Sequence, residues 1–302
     1  MSNSKMMAQI SGKGGFVAAL DQSGGSTPEA LRAYGVPDSA YSGDEEMFQV
    51  MHEMRVRIIT SPVFSGDKVI GAILFERTME GEVNGQPVST YLWEKRGVVP
   101  FLKVDKGREG VEDGVNLMKP IVGLDALLER AIKLGIFGTK MRSVIHLPSK
   151  TGIAAVVAQQ FDVAAQISKH GLVPIIEPEV LIECPDKQGA EALLLQELKK
   201  GLDAWKQDGK VMLKVTIPDV PGRYAPLIAD PRVMRVIALS GGYTRDDACR
   251  RLAENQGMIA SFSRALVEDL KHDMSAAEFD AALDRSIDEI YRASVGKRGK
   301  SN

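Results

Sequence analysis

The 302-residue chain carries 38 lysine and arginine residues against 40 aspartate and glutamate residues, for a formal net charge of -2. This balance, with neither sign gathered in one half of the chain, argues against a dedicated nucleic-acid or membrane-surface binder. Two distant cysteines, Cys184 and Cys249, exclude a disulfide framework and a structural zinc site, and the chain lacks an apolar signal segment, so we expect a cytoplasmic protein.

Short apolar runs bounded by turn residues recur along the chain and predict β-strands. They are rich in valine, isoleucine and phenylalanine and lie at 16–20, 70–75, 98–104, 136–144, 172–176, 211–217, 233–239 and 258–262. Each run is almost continuously apolar, which is typical of parallel strands covered on both faces and not of half-exposed antiparallel strands.

Helical signals fill the intervals between these runs. Segment 149–170 has one apolar stripe at three- and four-residue spacing, and Gly171 follows it where a C-terminal capping glycine belongs. Thr244 and Ser275 each stand three residues before an acidic residue, as in capping boxes that open helices. Strands that alternate with helices indicate β/α units.

The number of units favours a closed barrel. A doubly wound open sheet is the alternative, but eight units in about 300 residues match the size of a (β/α)₈ TIM barrel. Segment 76–90, with Asn84-Gly85 between short alternating residues, predicts a surface excursion between the second and third units. Because the chain shows no linker or repeat, we expect residues 1–302 to form a single α/β domain.

Polar residues end the apolar runs in every unit. In chain order they are Asp21, Glu76, Lys103, Lys140, Glu177, Lys214, Ser240 and Arg264. The carboxyl ends of barrel strands face the rim where barrel enzymes keep their chemistry. A barrel that needed only stability would carry branched aliphatic residues there, so these positions predict an active site.

Lys214 is the strongest candidate nucleophile because apolar residues flank it on both sides. Burial and a neighbouring cation such as Lys140 should lower its pKa and leave some neutral amine, which attacks ketones. Glu177 and Glu179 alternate on one extended segment and should point toward the lysines. Each carboxyl serves either as an ion-pair partner or as the acid and base that imine formation needs. A solvated rim lysine remains the alternative for any single position.

Glycine-rich turns predict phosphate sites. The turn Ser240-Gly241-Gly242 beside Arg264 lies where barrels bind phosphate through backbone N–H groups, although a plain connection is the alternative for the turn alone. A second phosphate could lie at the helix that follows the turn 21–26. No P-loop spacing occurs, and the four histidines are far apart, so we expect no metal and no cofactor.

Seven motifs occur in order at these strands: ALDQSGGS, LKVDKG, TKMR, PIIEPE, LKV, LSGG and SFSRAL. Together they resemble the class I fructose-bisphosphate aldolases, and in particular the bacterial branch, over residues 16–266. The resemblance implies a TIM-barrel aldehyde-lyase of glycolysis and gluconeogenesis. It would cleave fructose 1,6-bisphosphate reversibly, through a Schiff base and without metal, to dihydroxyacetone phosphate and glyceraldehyde 3-phosphate.

The resemblance also implies catalytic roles, position by position. Lys214 corresponds to the Schiff-base lysine, Glu177 to the acid and base of carbinolamine dehydration, and Asp21 to the base that takes the C4 hydroxyl proton. The other charged residues correspond to a pair around the imine and a lysine of the third strand: Lys140 with Glu179, and Lys103.

Two further groups correspond to phosphate-binding residues. The group at the dihydroxyacetone-phosphate end comprises Ser240, Gly241, Gly242 and Arg264. The group at the other phosphate comprises Ser23, Ser26 and Arg142. The chain departs from the animal enzymes in carrying Glu29 where they have a basic residue, and in having no aromatic residue after Tyr291.

Two rival functions remain open from the sequence. One is another imine-forming barrel aldolase, of the transaldolase or deoxyribose-phosphate type, whose substrate carries one phosphate. The other is a non-catalytic protein built on a relict barrel, against which the intact charged strand ends argue. The expected partner is a small phosphorylated sugar, with no nucleic acid and no membrane. The sequence allows a homo-oligomer, since a helix face used in assembly resembles one that faces a core.

Overall fold

The computed structural model describes residues 2–23 and 26–296. Eight parallel strands build its main sheet: β1 Phe16–Leu20, β2 Val69–Leu74, β3 Val99–Lys103, β4 Gly138–Ile145, β5 Val173–Val180, β6 Val211–Thr216, β7 Val233–Leu239 and β8 Ile259–Ala260. Each strand overlaps one of the eight apolar runs, so the strand prediction is confirmed.

The strands pair in chain order, from β1 through β8. The sheet then closes on itself, because the Ala19 N–H of β1 donates to the Phe262 carbonyl oxygen beyond β8 at 3.0 Å. The (β/α)₈ prediction is therefore confirmed, and the open-sheet alternative is wrong. Closure brings the carboxyl ends of all eight strands to one rim.

Helices surround the barrel. They are α1 Ser2–Gly12, α2 Ser26–Ala33, α3 Gly43–Thr60, α4 Glu76–Met79, α5 Val88–Arg96, α6 Leu124–Lys133, α7 Lys150–Lys169, α8 Lys187–Asp203, α9 Ala225–Ile228, α10 Arg245–Ala253, α11 Arg264–Val267 and α12 Ala276–Val295, with a 3-10 helix at Asp38–Ala40. None of the helices among the described residues is long and apolar enough to cross a membrane.

The capping signals act as predicted. The Thr244 hydroxyl accepts from the Asp247 N–H at the start of α10, and Ser275 forms a complete capping box with Glu278 at the start of α12. Gly171 follows α7 with a φ of 78°, a left-handed conformation that glycine adopts without a steric penalty.

Two apolar layers hold the fold together. The layer between strands and helices includes the methionine stripe of α3, Met47, Met51 and Met54, all of them buried. The second layer fills the barrel, and Met6 and Ile10 of α1 belong to it. Burial of apolar surface in these two layers is the main favourable contribution to the free energy of folding.

Helix α1 closes the amino-terminal end of the barrel, and sequence analysis missed it. Gln9 Nε2 donates to the carbonyl oxygens of Ile70 and Gly97 at 2.8 and 2.7 Å, and Arg235 Nε donates to that of Ile10 at 2.9 Å. The helix was missed because only Met6 and Ile10 of its otherwise mostly polar sequence are buried.

The predicted surface excursion is present as a short hairpin, smaller than the segment that suggested it. Asn84 and Gly85, with φ of 51° and 73°, join the short antiparallel strands Glu82–Val83 and Gln86–Pro87. The flanking helices α4 and α5 pack into the fold, so the surface excursion is confined to the hairpin. A further short strand, Val115–Asn116, runs antiparallel to the end of β4.

Shortening a buried side chain of helix α1 should lower the stability of the fold without changing the residues at the carboxyl-terminal rim. Ile10→Ala deletes a fully buried side chain, and we expect it to lower the free energy of unfolding by about 2–5 kcal/mol. Met7→Ala, on the exposed side of the same helix, should change it by less than about 0.5 kcal/mol. Urea unfolding measures both, and equal losses would show that α1 does not depend on this contact.

Candidate active site

Charged side chains converge at the carboxyl-terminal rim. Asp21 follows β1, and Lys140, Glu177 and Lys214 lie within β4, β5 and β6. All four are buried, with 3% of the surface of each of Lys140, Glu177 and Lys214 exposed and 8% of that of Asp21. The expectation that Lys214 is sheltered from water agrees with this burial.

One carboxylate joins the two lysines. Lys214 Nζ lies 3.0 Å from Glu177 Oε1, and Lys140 Nζ lies 3.0 Å from Glu177 Oε2. Lys140 Nζ also lies 2.6 Å from Asp21 Oδ2. Positive and negative groups thus alternate from Lys214 to Asp21. Because burying an isolated charge is very costly, this alternation is what lets four ionisable groups share the barrel mouth.

The ion pairs set the protonation states of Asp21 and Lys140. Burial by itself would raise the pKa of Asp21, but the charges of Lys140 and Lys214 outweigh it and hold that pKa well below its ordinary value. Burial would likewise lower the pKa of Lys140, and the charges of Asp21 and Glu177 instead raise it. At neutral pH Asp21 is therefore a carboxylate and Lys140 an ammonium.

Gln160 of α7 holds the backbone of Glu177 in place. Its Nε2 donates to the Glu177 carbonyl oxygen at 3.1 Å, and its Oε1 accepts from the Glu177 N–H at 2.8 Å. Sequence analysis missed Gln160, although a polar residue on the apolar stripe of 149–170 was the available signal. Glu177 Oε2 is buried, and the Lys140 ammonium lies 3.0 Å from it.

Glu179 lies further along β5 and has a different partner. Its Oε2 lies 3.0 Å from Arg142 Nη1, whereas the Lys140 ammonium pairs with Asp21 and Glu177. Lys140 and Glu179, which the resemblance gives as a charged pair around the imine, thus form no direct ion pair among the described residues. Burial raises the pKa of Glu179, and the Arg142 charge opposes the rise.

Asp105 links the third and fourth strands and was missed. Its Oδ1 lies 2.9 Å from Lys103 Nζ, and its Oδ2 accepts from the Arg142 N–H at 3.2 Å. It is buried, two residues after Lys103. That spacing in an extended segment, which places both side chains on one face, was the signal available in the LKVDKG motif.

The turn after β7 is open toward Arg264. Gly241 and Gly242 have φ of 66° and 117°, values that residues with a side chain rarely adopt. Ser240, which precedes them, is buried. A Cβ at Gly242 would lie 3.1 Å from Ile182 Cδ1 and 3.5 Å from Arg264 Nη2. The structure therefore brings the guanidinium of Arg264 beside this glycine turn, which Ile182 approaches too closely for side chains at the two glycines.

The second predicted phosphate group is only partly described. Gly24, Gly25 and the side chain of Ser26 lie outside the described residues. Ser23 is half-buried two residues after Asp21, and the Arg142 side chain, 39% exposed, reaches the rim from β4.

Arg55 of α3 is a further buried residue at this rim that sequence analysis missed. It contacts the backbone next to Asp21, since its Nη2 donates to the Gln22 carbonyl oxygen. The signal was an arginine adjoining the methionine stripe, one residue after Met54 and four after Met51.

Comparison with known proteins agrees with this geometry. The family model of class I fructose-bisphosphate aldolase matches residues 3–200. The chain is 53% identical over 293 residues to the fructose-bisphosphate aldolase class 1 of Porphyromonas gingivalis, a match that covers 97% of this chain and 99% of that protein.

Two solved structures share the fold. Fructose-bisphosphate aldolase from Plasmodium falciparum, solved in complex with TRAP and an inhibitor, is 20% identical with a TM-score of 0.76, covering 99% of this chain and 96% of that one. A protein from Corynebacterium glutamicum is 12% identical with a TM-score of 0.59, covering 98% and 93%. The extent of the family match and the near full-length bacterial relative establish that this chain belongs to the class I fructose-bisphosphate aldolase family.

Proposed function

We propose that this chain cleaves fructose 1,6-bisphosphate reversibly through a Schiff base on Lys214. The observation that carries the proposal is a buried amine 3.0 Å from a carboxylate whose other oxygen faces a second lysine. A primary amine beside a proton-exchanging carboxyl is what imine formation on a ketone requires.

The first stage forms the imine. Glu177 accepts a proton from the Lys214 ammonium, and the neutral amine attacks the C2 carbonyl carbon to give a carbinolamine. Glu177 then returns a proton to the departing hydroxyl, which leaves as water. The proximity of Glu177 Oε1 to Lys214 Nζ, at 3.0 Å, supports this double use of one carboxyl.

The second stage breaks the C3–C4 bond. Asp21 takes the proton of the C4 hydroxyl, the carbonyl of glyceraldehyde 3-phosphate forms, and the C3–C4 electron pair moves into the protonated imine to give an enamine. Because the pKa of Asp21 is low, the base is ionised before the substrate arrives. Protonation of the enamine at C3 and hydrolysis then release dihydroxyacetone phosphate and restore Lys214.

The remaining charged residues organise the site in this proposal. Lys140 stays cationic between Asp21 and Glu177 and keeps both carboxylates directed into the barrel mouth. The pairs Arg142 with Glu179 and Lys103 with Asp105 extend the same alternation of charge toward the rim.

Two anion sites at the rim suit a substrate with two phosphates. We assign the dihydroxyacetone-phosphate end to Ser240, Gly241, Gly242 and Arg264. We assign the other phosphate to Ser23, Ser26 and Arg142. The assignment of two sites favours a bisphosphate over the singly phosphorylated substrates of the rival imine-forming barrels.

The wider role follows from the reaction. We propose that residues 1–302 act as one domain in cytoplasmic glycolysis and gluconeogenesis, with a phosphorylated sugar as the partner and no cofactor.

Borohydride trapping tests the nucleophile. Reduction in the presence of dihydroxyacetone phosphate should add the mass of the reduced adduct to the peptide that contains Lys214. The peptide with Lys187 should stay unmodified, because that equally buried lysine is bound to Glu191 and Asp219. Lys214→Met should fold, lose the adduct and lower kcat by about a thousandfold or more. An adduct on another lysine would overturn the assignment.

Asp21→Asn should separate the two stages. Without the base, we expect kcat for cleavage to fall by about a hundredfold or more, while trapping of dihydroxyacetone phosphate on Lys214 persists. Asp219→Asn, which removes a carboxylate paired with Lys187, is the matched control and should keep cleavage near the wild-type rate. Equal loss of cleavage and trapping in Asp21→Asn would contradict the role given to Asp21.

Asp21 should also make stability depend on pH. Its folded pKa is lowered from the ordinary value of 3.8, so the stability that its charge contributes is fully present above 3.8 and is lost as the pH falls from there through the lower pKa of the folded protein. Below about pH 4 the wild-type free energy of unfolding should fall more steeply than that of Asp21→Asn, by up to about 1.4 kcal/mol per pH unit. Urea titrations at several pH values measure this difference, and parallel curves would refute it.

A further inference from the structure

Arg55 of α3 is buried behind the end of β1. Only 2% of its surface is exposed, and its Nη1 donates to Thr78 Oγ1 at 2.8 Å while its Nη2 donates to the Gln22 carbonyl oxygen. Its guanidinium carbon lies 5.9 Å from the centre of the Phe75 ring. The side chain thus ties α3 and α4 to the residue that directly follows Asp21.

These contacts do little to offset the burial of a charge. Both acceptors are neutral, and Nε is buried without a hydrogen-bond partner in the described part of the chain. Burial lowers the pKa of Arg55 to about 10, and the Asp21 carboxylate opposes that shift, so the group remains a cation at neutral pH. An arginine in these surroundings is poorly suited to stabilising the fold alone, because a buried charge is stabilised most by a direct ionic partner.

The connection continues across the barrel mouth. Gln22 Nε2 donates to Ser263 Oγ at 2.6 Å, and Ser263 directly precedes Arg264. Gln22 is therefore held from two sides, by the Arg55 guanidinium at its carbonyl oxygen and by the β8 exit at its side chain. Fixing Gln22 limits the directions that the neighbouring Asp21 carboxylate can take.

We propose that Arg55 is a positioning residue for Asp21. It holds the Gln22 carbonyl oxygen so that the carboxylate meets both Lys140 and the C4 hydroxyl of the substrate. The inference rests on the proposed function. It assigns Arg55 to carbon–carbon cleavage and not to imine formation. Lys214 and Lys140 each contact Glu177 without it.

Arg55→Met and Arg55→Lys in the full-length enzyme test the assignment with two readouts. One is kcat for cleavage of fructose 1,6-bisphosphate, and the other is the rate of borohydride-trapped adduct formation with dihydroxyacetone phosphate. In Arg55→Met we expect kcat to fall by about tenfold to a hundredfold, because a misplaced base loses alignment, with trapping within about twofold of wild type. Arg55→Lys should recover part of kcat, since it keeps the charge but not the fork of donors.

Arg57, two residues along α3, offers a matched control. Its guanidinium donates to the carbonyl oxygens of His272 and Met274 at 3.0 and 2.5 Å and lies 4.1 Å from the centre of the Phe279 ring, with no link to Asp21. Arg57→Met should lower the melting temperature and leave both readouts at wild-type values. A loss of cleavage equal to that of Arg55→Met would overturn the inference.

Thr78→Val provides a milder second variant. It keeps Arg55 and the local volume while removing the acceptor of Nη1, so it should fold even if Arg55→Met does not. We expect a smaller loss of kcat with trapping unchanged.

Unchanged cleavage in both Arg55→Met and Thr78→Val, or parallel loss of cleavage and trapping, would show that Arg55 does not act through Asp21. Absence of a Lys214 adduct in the wild-type enzyme is a different result. It would overturn the proposed function, and the role of Arg55 with it.

Discussion

The site depends on one interaction, the pairing of the Glu177 carboxylate with two buried lysines. The two oxygens of this carboxylate lie 3.0 Å from Lys214 Nζ and from Lys140 Nζ, and Asp21 completes the series. Four ionisable groups at this depth are tolerated only because each has an opposite charge in contact. Lys140 and Glu177 each contact two opposite charges, so these two groups contribute most to the electrostatic balance of the site.

The two lysines differ in their surroundings, and the proposed mechanism gives them different roles. Lys140 lies between Asp21 and Glu177, whose charges raise its pKa, so it remains an ammonium. A permanent cation cannot attack a carbonyl, but it keeps Asp21 ionised. Lys214 contacts Glu177 alone among the described carboxylates, through an oxygen separate from the one near Lys140. In the proposed mechanism the nucleophile, the acid and base, and the fixed cation therefore lie on three adjacent strands.

The barrel supports this arrangement from outside as well as from within. Gln160 of α7 binds both the N–H and the carbonyl oxygen of Glu177. Arg55 of α3 binds the carbonyl oxygen of Gln22, next to Asp21. Both are buried polar residues on helix faces that are otherwise apolar. They extend the site into the helical layer, where packing holds side chains in one rotamer and therefore holds the strand ends in register.

The sequence by itself determined the eight strands, the main capped helices and the polar character of each strand end. These features depend on local patterns, such as the apolar run of β6 around Lys214 or the capping box at Ser275. Only the tertiary structure decided which charges meet: Lys140 with Asp21, and Glu179 with Arg142. It also decided that α1 closes the barrel and that Arg55 reaches Gln22. Distances between residues far apart in the chain depend on strand register and barrel closure, and no local pattern encodes those.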